Sequence, residues 1–359
     1  METPRLLETT NFGLYCAEGD FYVDPWRAVD RAVVTHAHAD HACRGCRRYL
    51  TSTDGTDVLR VRMDQGALID GLAYGESLFI NGVRVSLHPA GHILGSSQVR
   101  LEHGGLVCVV SGDYKVEPDP TCATFEPVRC HEFISESTFG LPIYRWPSQA
   151  EVFESVKAWW RTNQESGRAS VLFAYALGKA QRLIAGLGGD IGPIYTHGAV
   201  EPLNRAYRES GVRLPATEYA AVASGADWSR SLIVAPPSAQ GSPWLRRFGP
   251  LSTAFASGWM RIRGTRRRRS VDRGFVLSDH ADWPGLLGAI EATGAERVWL
   301  THGYTSVLAR YLRDQGRDAH VIATRYEGER DEAATGTSTE DHPGSLELSA
   351  EDQPGIVNL

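Results

Sequence analysis

Three histidines and one aspartate lie within six consecutive positions and offer four metal ligands in one short segment. They are His36, His38, Asp40 and His41, and they follow the apolar residues 32–34. Alternate side chains of an extended segment point to the same side, so His36 and His38 can share one metal ion. A turn after them can deliver Asp40 and His41 to a second ion. The spacing predicts two adjacent metal ions.

Short apolar runs separated by turn residues fill the first 140 positions and are typical of strands. These runs are residues 21–23, 32–34, 83–85, 107–110 and 133–134. Polar residues that can do chemistry follow them, namely Asp24, His36, His92 and Asp113. We therefore expect one edge of a β-sandwich to collect these side chains.

The pattern of short apolar runs gives way to alternating helical and strand-like segments after residue 147, and it returns after residue 270. Ser148 is a plausible N-cap for a helix to Trp160, and residues 171–270 alternate helical and strand-like segments, which predicts a second α/β unit over residues 145–270. Two later predicted strands, 274–277 and 297–301, lead to His280 and His302. An inserted domain would return these histidines to the early cluster.

Length, charge and cysteine content narrow the class of protein. The chain has 359 residues and a net charge of −6, but residues 327–359 carry nine acidic residues against one arginine, so the rest has a net charge of +2. We expect this acidic tail to be disordered. No run of 18 apolar residues occurs, and six scattered cysteines do not resemble a secreted disulfide scaffold. These features predict a soluble, cytoplasmic protein with reduced thiols and no membrane partner.

The strand ends supply a consistent set of ligands for a dizinc centre. One ion would take His36, His38 and His92. The other would take Asp40, His41 and His302, and Asp113 would bridge both with its two oxygens. Zinc lowers the pKa of bound water to about 7, so a bridging hydroxide would be the nucleophile. Mn²⁺ is the alternative metal.

These positions resemble the metallo-β-lactamase superfamily and its β-CASP branch of nucleic-acid nucleases over about residues 10–326. Asp24, the segment 36–41, His92 in Ala-Gly-His and Asp113 in Ser-Gly-Asp match the four metallo-β-lactamase motifs. The three β-CASP motifs correspond to Glu136 in Ser-Glu-Ser-Thr, His280 in Ser-Asp-His-Ala-Asp and His302 in Thr-His-Gly.

The resemblance implies a four-layer αββα sandwich with an inserted α/β β-CASP domain. The catalytic domain would comprise residues 1–144 and 271–326, the inserted domain residues 145–270, and the tail residues 327–359. Catalysis would involve His280 as general acid, Glu136 as the group that orients it, and the metal-binding Asp40 and Asp113. Asp24 would hold the metal loop from outside the ligand set.

A narrower resemblance points to the bacterial DNA-ligase-associated exonucleases, which are thought to act in DNA repair. It rests on residues 258–264, the arginine run and residues 271–274 before the His280 motif. Guanidinium groups here can grip consecutive phosphates. Lys179 and Gln240 resemble residues of loops that face the cleft. The expected phosphate contacts are Arg261, Arg263, Arg266, Arg267, Arg268, Arg269, Lys179 and Gln240.

Several functions compete for this sequence. The resemblance around His280 favours a DNA exonuclease, with a DNA ligase or helicase as possible partner. His302 favours the alternative of an RNA endonuclease or RNA 3′-end processing enzyme, because DNA-specific β-CASP enzymes often carry valine at that motif. A non-catalytic nucleic-acid-binding scaffold is disfavoured because all seven metal ligands are retained. Thioester or lactam hydrolysis is disfavoured by the inserted domain and by the Glu136 and His280 pair.

Overall fold

The computed structural model describes residues 5–223, 225–262, 264 and 270–324, and they form three β-sheets with flanking helices. The predicted mixed α/β class is confirmed. None of the helices in these ranges is both long and apolar enough to span a lipid bilayer. The predicted acidic tail, residues 327–359, lies outside the described residues.

The first sheet contains six strands in chain order. They are β1 (Glu8–Thr10), β2 (Gly13–Cys16), β3 (Phe21–Val23), β4 (Arg31–Val33), β5 (Arg48–Ser52) and β6 (Leu68–Leu72). The first three strands pair antiparallel, and the pairs from β3 to β6 are parallel. Because β4 ends at Val33, the histidine-rich segment begins at the carboxyl edge of this sheet.

The second sheet combines strands from the first and last parts of the chain. Its members are β7 (Ser77–Ile80), β8 (Val83–Pro89), β9 (Ser97–His103), β10 (Leu106–Val110), β11 (Glu132–Ser137), β18 (Arg297–Gly303) and β19 (Asp318–Val321). Their order is β19-β18-β11-β10-β9-β8-β7. The late strand β18 pairs parallel with β11, with Glu136 opposite Thr301. This pairing brings Glu136 and His302 to the same edge.

The first two sheets pack face to face through one apolar cluster. Val23 and Val33 of the first sheet and Val99 and Ile134 of the second belong to it, and all four side chains are buried. Alternation of apolar side chains along each strand explains this burial.

Helices cover the outer faces of the two sheets. They include α1 (Thr56–Arg62) on the first sheet, and α5 (Trp283–Thr293) and α6 (Thr305–Asp314) on the second. The three-residue spacing of Cys43 and Cys46 predicts a helix after the histidine-rich segment, but this prediction is wrong, because turns occupy the segment.

The third sheet is parallel throughout and is built from the middle of the chain. Its strands are β12 (Ala169–Phe173), β13 (Ile194–Thr196), β14 (Glu218–Tyr219), β15 (Leu232–Ala235), β16 (Leu251–Ala256) and β17 (Arg273–Phe275), in the order β14-β13-β15-β12-β16-β17. The helices of this region are α2 (Gln149–Glu165), α3 (Lys179–Leu187) and α4 (Glu201–Glu209). Ser148 caps α2 as predicted. The last strand, β17, begins at Arg273, whereas the second α/β unit was predicted to end at residue 270. It belongs to the third sheet because it pairs with β16.

Candidate metal centre

The histidine-rich segment is fixed to both sheets where it leaves β4. The Thr35 carbonyl accepts a hydrogen bond from Ser97 N at 2.8 Å. Asp24, with a left-handed backbone (φ +45°), accepts from Thr35 N at 2.8 Å and from Thr35 Oγ1 at 2.6 Å. The Asp24 carboxylate also accepts from His41 Nδ1 at 2.7 Å. Asp24 therefore holds both ends of the segment through hydrogen bonds.

Four side chains form the first group of candidate metal ligands, His36, His38, His92 and Asp113. The distance from His36 Nε2 to His38 Nδ1 is 3.0 Å, and that from His92 Nε2 to His38 Nδ1 is 3.1 Å. Asp113 Oδ2 lies 3.6 Å from His36 Nε2 and 3.9 Å from His92 Nε2. The group comprises three nitrogens and one oxygen, which is the number and type of ligands that Zn²⁺ takes in proteins.

The second group comprises His41, Asp113 and His302. His41 Nε2 lies 3.5 Å from Asp113 Oδ2 and 3.7 Å from Asp40 Oδ2, and the His41 and His302 rings are 5.1 Å apart. The buried His41 Nε2 has no hydrogen-bond partner among the described residues. The Asp113 carboxylate belongs to both groups, and Asp40 lies at the margin of the second.

Hydrogen bonds on the far side of each imidazole determine which nitrogen is available inside the site. A carbonyl oxygen can only accept, so His38 Nε2 donates to Leu177 O at 3.3 Å and His92 Nδ1 donates to Asp279 O at 2.9 Å. In their neutral forms both rings then present a lone pair inward, at His38 Nδ1 and His92 Nε2.

The Thr35 hydroxyl completes this pattern for His36. Since Thr35 Oγ1 donates to Asp24, it accepts from His36 Nδ1 at 3.1 Å, which leaves a lone pair on His36 Nε2. Three neutral imidazoles that present lone pairs to one another about 3 Å apart cannot hydrogen-bond among themselves. A cation between them removes the repulsion, so the residues present fit a metal ion.

Burial favours the neutral, metal-binding form of most of these imidazoles. It holds the pKa of His36 well below its ordinary value, lowers the pKa of His38 and His302, and lowers the pKa of His92 to about 3. Burial also acts to lower the pKa of His41, but Asp113, Asp40 and Asp24 outweigh it and raise that pKa well above the ordinary value. A cation bound beside His41 would have to displace its proton.

A buried carboxylate and imidazole pair adjoins the first ligand group. His280 Nδ1 lies 2.9 Å from both Glu136 oxygens, and the His280 ring is 4.7 Å from the His92 ring. Tyr114 N donates to Glu136 Oε1 at 2.8 Å and fixes the carboxylate. With Nδ1 donating to Glu136, Nε2 is the His280 nitrogen that can exchange a proton with a substrate.

Left-handed backbone conformations shape the two strand ends that carry Asp113 and His302. Gly112 has φ +56° and Gly303 has φ +70°, and His302 itself has φ +54°. A Cβ on Gly303 would lie 2.4 Å from Thr138 Cα, so only glycine fits there. These turns direct the two ligands back toward the segment that contains His41.

The candidate phosphate contacts are dispersed. Lys179 is fully buried, and its Nζ lies 3.5 Å from Asp279 Oδ2, so an ion pair stands where a phosphate contact was expected. Gln240 is half-buried at the end of a short 3-10 helix, and Arg261 is exposed, with Nε 3.4 Å from Ile143 O. The remaining predicted contacts lie outside the described residues: Arg263, Arg266, Arg267, Arg268 and Arg269.

Sequence reasoning missed the groups that orient the ligands, namely Thr35, the Leu177 carbonyl, Asp279 and Arg182. Asp279 directly precedes His280 in the Ser-Asp-His-Ala-Asp motif, so the sequence indicated this segment but not the role of Asp279 itself. Arg182 is the one arginine of helix α3, and nothing in the local sequence marks it as buried.

The chain is similar in sequence to proteins whose names describe enzymes of DNA or RNA. No protein-family model matches the chain. The chain is 31% identical over 312 residues to a probable DNA ligase of Opitutus terrae, which covers 86% of this chain and 30% of the ligase. It is 30% identical over 187 residues to Endoribonuclease YSH1 of Saccharomyces cerevisiae, which covers 50% of this chain and 23% of that protein. The chain thus spans less than a third of the length of the curated relatives it matches.

A solved structure shares the fold at low sequence identity. It is a protein of unknown function from Enterococcus faecalis V583, with a TM-score of 0.54 and 11% identity. The likeness covers 82% of this chain and 79% of that one. Most of the architecture therefore occurs in another protein of dissimilar sequence.

Proposed function

We propose that this chain is a metal-dependent nuclease of the β-CASP branch of the metallo-β-lactamase superfamily, most specifically a DNA exonuclease in DNA repair. The observation that carries the proposal is the convergence of inward lone pairs on His36, His38 and His92 around Asp113, beside the Glu136 and His280 pair. Two ligand groups that share one carboxylate suit hydrolysis of phosphodiesters.

The domain assignment belongs to the same proposal. The first two sheets and their covering helices would be the four-layer αββα catalytic domain, residues 1–144 and 276–326. The third sheet would form the inserted domain, with its limit moved from residue 270 to the end of β17 at Phe275.

His36, His38, His92 and Asp113 would hold one metal ion, and His41, His302, Asp40 and the shared Asp113 the other. Two Zn²⁺ ions, or Mn²⁺ in their place, would supply a nucleophile at neutral pH and neutralise charge on the phosphate. The outer hydrogen bonds from His36, His38 and His92 keep the inward nitrogens of these three rings deprotonated and aimed.

His280 would protonate the departing sugar oxygen from Nε2. Glu136 accepts from Nδ1, so it orients the ring and stabilises the imidazolium form that must donate the proton. Burial of both side chains strengthens this interaction, because water screens little of it.

DNA is the preferred substrate class because the probable DNA ligase relative covers 86% of this chain, whereas the endoribonuclease of Saccharomyces cerevisiae covers 50%. The arginine run before residue 270 supports contacts to a phosphate backbone. RNA cleavage is the second candidate, favoured by the YSH1 relatives and by histidine at position 302.

The test is digestion of matched end-labelled DNA and RNA strands by the full chain with Zn²⁺ or Mn²⁺, with products resolved by length. Stepwise shortening of DNA with RNA spared supports the DNA exonuclease. Internal cuts in RNA would transfer the assignment to the second candidate. Asp113→Ala is the control, because removal of the shared carboxylate should abolish any true activity. Cleavage retained by Asp113→Ala, or absence of cleavage of both strands by metal-loaded protein, would reject the nuclease proposal.

A further inference from the structure

A buried cluster of four charged side chains lies between helix α3 and the segment that leads into His280. Arg182 Nη1 lies 3.2 Å from Asp279 Oδ1, and Arg182 Nε lies 3.0 Å from Asp119 Oδ2. Lys179 Nζ lies 3.5 Å from Asp279 Oδ2. None of the four residues is more than 6% exposed, and the two positive charges balance the two negative ones.

Both backbone carbonyls that orient imidazoles in the first ligand group belong to segments anchored by this cluster. Asp279 presents its carbonyl to His92 Nδ1 and its carboxylate to Lys179 and Arg182. Leu177, whose carbonyl accepts from His38 Nε2, lies two residues before Lys179. The His92 imidazole is thus one hydrogen bond away from the charged cluster, and the His38 imidazole is separated from it by one hydrogen bond and two residues of chain.

Arg182 connects further segments to the same point. Its guanidinium donates to Gln149 Oε1 at 2.9 Å and also to the Ser278 carbonyl. Gln149, the first residue of helix α2, donates in turn to Pro118 O at 2.7 Å. One side chain therefore fixes α2, α3, the segment around Asp119 and the residues just before His280.

We propose that Arg182 and Asp279 are positioning residues for the first metal-ligand group, an inference that rests on the proposed metal centre. The cluster holds the Leu177 and Asp279 carbonyls where they select the His38 and His92 tautomers with inward lone pairs. Buried ion pairs often stabilise a fold no better than apolar residues of similar size. Partners that orient metal-binding histidines commonly change metal affinity or activity by about 10- to 100-fold.

The competing explanation is that the cluster only attaches α3 to the rest of the molecule. In that case its loss would lower thermal stability but leave metal affinity and ligand geometry unchanged. The two explanations differ in a property that can be measured without any nuclease assay.

The experiment is titration of the full-length, metal-free protein with Co²⁺, followed by its visible absorption, which reports the geometry of the ligands. Asp279→Asn keeps the backbone carbonyl and the side-chain shape, so it tests the charge. Because it leaves a buried positive charge unbalanced, a thermal unfolding curve must show that the variant is folded at the temperature of the titration. We expect its Co²⁺ affinity at one of two sites to fall about 10- to 100-fold, with an altered absorption band. Arg182→Gln should behave alike, and Arg182→Lys should recover part of the loss.

Arg208→Gln is the matched control. Arg208 lies on helix α4 and donates to Pro215 O at 2.7 Å and to Thr217 Oγ1 at 2.9 Å, and it forms an ion pair with Glu201. Among the described residues, none of these partners belongs to the ligand segments. Its Co²⁺ affinity should stay within about twofold of the parent protein.

Three results would be decisive against one proposal or the other. Unchanged Co²⁺ affinity and absorption in Asp279→Asn would overturn the positioning role. A parent protein that binds no Co²⁺ would overturn the metal centre and the positioning role together. A parent protein that binds two Co²⁺ ions yet cuts no nucleic acid would overturn only the proposed function, and the affinity ratios would still decide the positioning role.

Discussion

His280 is the residue whose removal should separate metal binding from cleavage, because it is paired with Glu136 and belongs to neither of the two groups that contain His36 or His41. We expect His280→Ala to lower kcat by about 10²- to 10⁴-fold, the usual contribution of a general acid. Metal content should stay at the parent value. Both quantities can be measured on one preparation, by cleavage assay and by elemental analysis.

His103→Ala is the control for this variant, since His103 lies at the end of β9 and its Nδ1 lies 3.3 Å from the Gly82 carbonyl oxygen. It should match the parent protein in both measurements. If His280→Ala lost its metals as well, His280 would be part of the metal-binding machinery rather than a separate acid.

The buried ammonium group of Lys115 should make the free energy of unfolding depend on pH. Burial, reinforced by the positive charge of Arg182, lowers the pKa of this ammonium from 10.5 to about 8. Between these pH values the unfolded chain retains a proton that the folded chain has released. The free energy of unfolding therefore rises with pH across this window and falls as pH drops through 8, by up to about 3 kcal/mol.

Replacement of Lys115 by methionine should remove this part of the pH dependence. Urea unfolding at several pH values between 7.5 and 10.5 measures it, and all other groups that titrate there are common to both proteins. Parallel curves for the parent and Lys115→Met would show that the ammonium stays charged in the folded state.

Residues that belong to recognisable motifs could be predicted from the sequence, and residues outside such motifs could not. The ligands His36, His38 and His41 form a dense local pattern, and the structure brings His92, Asp113 and His302 to them. The role of Arg182 depends on Asp279, which is 97 positions away. No local pattern encodes such a pairing.

The turn between β10 and Asp113 shows how an element directs a ligand. A Cβ on Gly112 would lie 2.6 Å from both Cβ and Oγ1 of Thr35, which bonds Asp24 and His36. We expect Gly112→Ala to lower the free energy of unfolding by about 1 kcal/mol for its positive φ and by a further 1–3 kcal/mol for the clash. Metal affinity should fall too, because Thr35 must move.

Gly105→Ala separates the cost of the positive φ from the cost of the clash with Thr35. Gly105 also has a positive φ, +81°, but nothing lies within 4 Å of its would-be Cβ. It should show only the conformational cost, with metal affinity unchanged, when both variants are compared by chemical unfolding and metal titration. Equal losses in the two variants would mean that the Thr35 contact is unimportant.

Strands were predictable as elements because apolar runs between turn residues mark them, and β3, β8, β10, β11, β12, β15 and β18 form at the expected places. Their neighbours were not predictable. The position of β17 in the third sheet follows from its pairing with β16, and the runs themselves carry no information on which strand lies beside them.

Removal of bound metal ions tests whether they stabilise the fold of the whole molecule. The first two sheets close around buried imidazoles whose lone pairs oppose one another, so a bound cation should stabilise the folded state. A ligand at 100 times its Kd adds about 2.7 kcal/mol per site. A strong chelator should therefore lower the thermal unfolding midpoint of the parent protein.

Asp113→Ala should be insensitive to the same chelator, because both ligand groups lose their shared carboxylate. Scanning calorimetry of the two proteins with and without chelator supplies the comparison. An unchanged midpoint in the parent protein would indicate that no metal was bound there.

The position of β18 between β19 and β11 in the second sheet has a consequence for the timing of biosynthesis. His302 is the second-last residue of that strand, and its carbonyl accepts from Ser137, 165 residues earlier. A ribosome must therefore translate the whole third sheet before it adds the last histidine of the second ligand group. A nascent or prematurely terminated chain that stops before residue 302 lacks this ligand, so the proposed nuclease would acquire its activity only after β18 has been translated, and such fragments would be harmless to nearby nucleic acid.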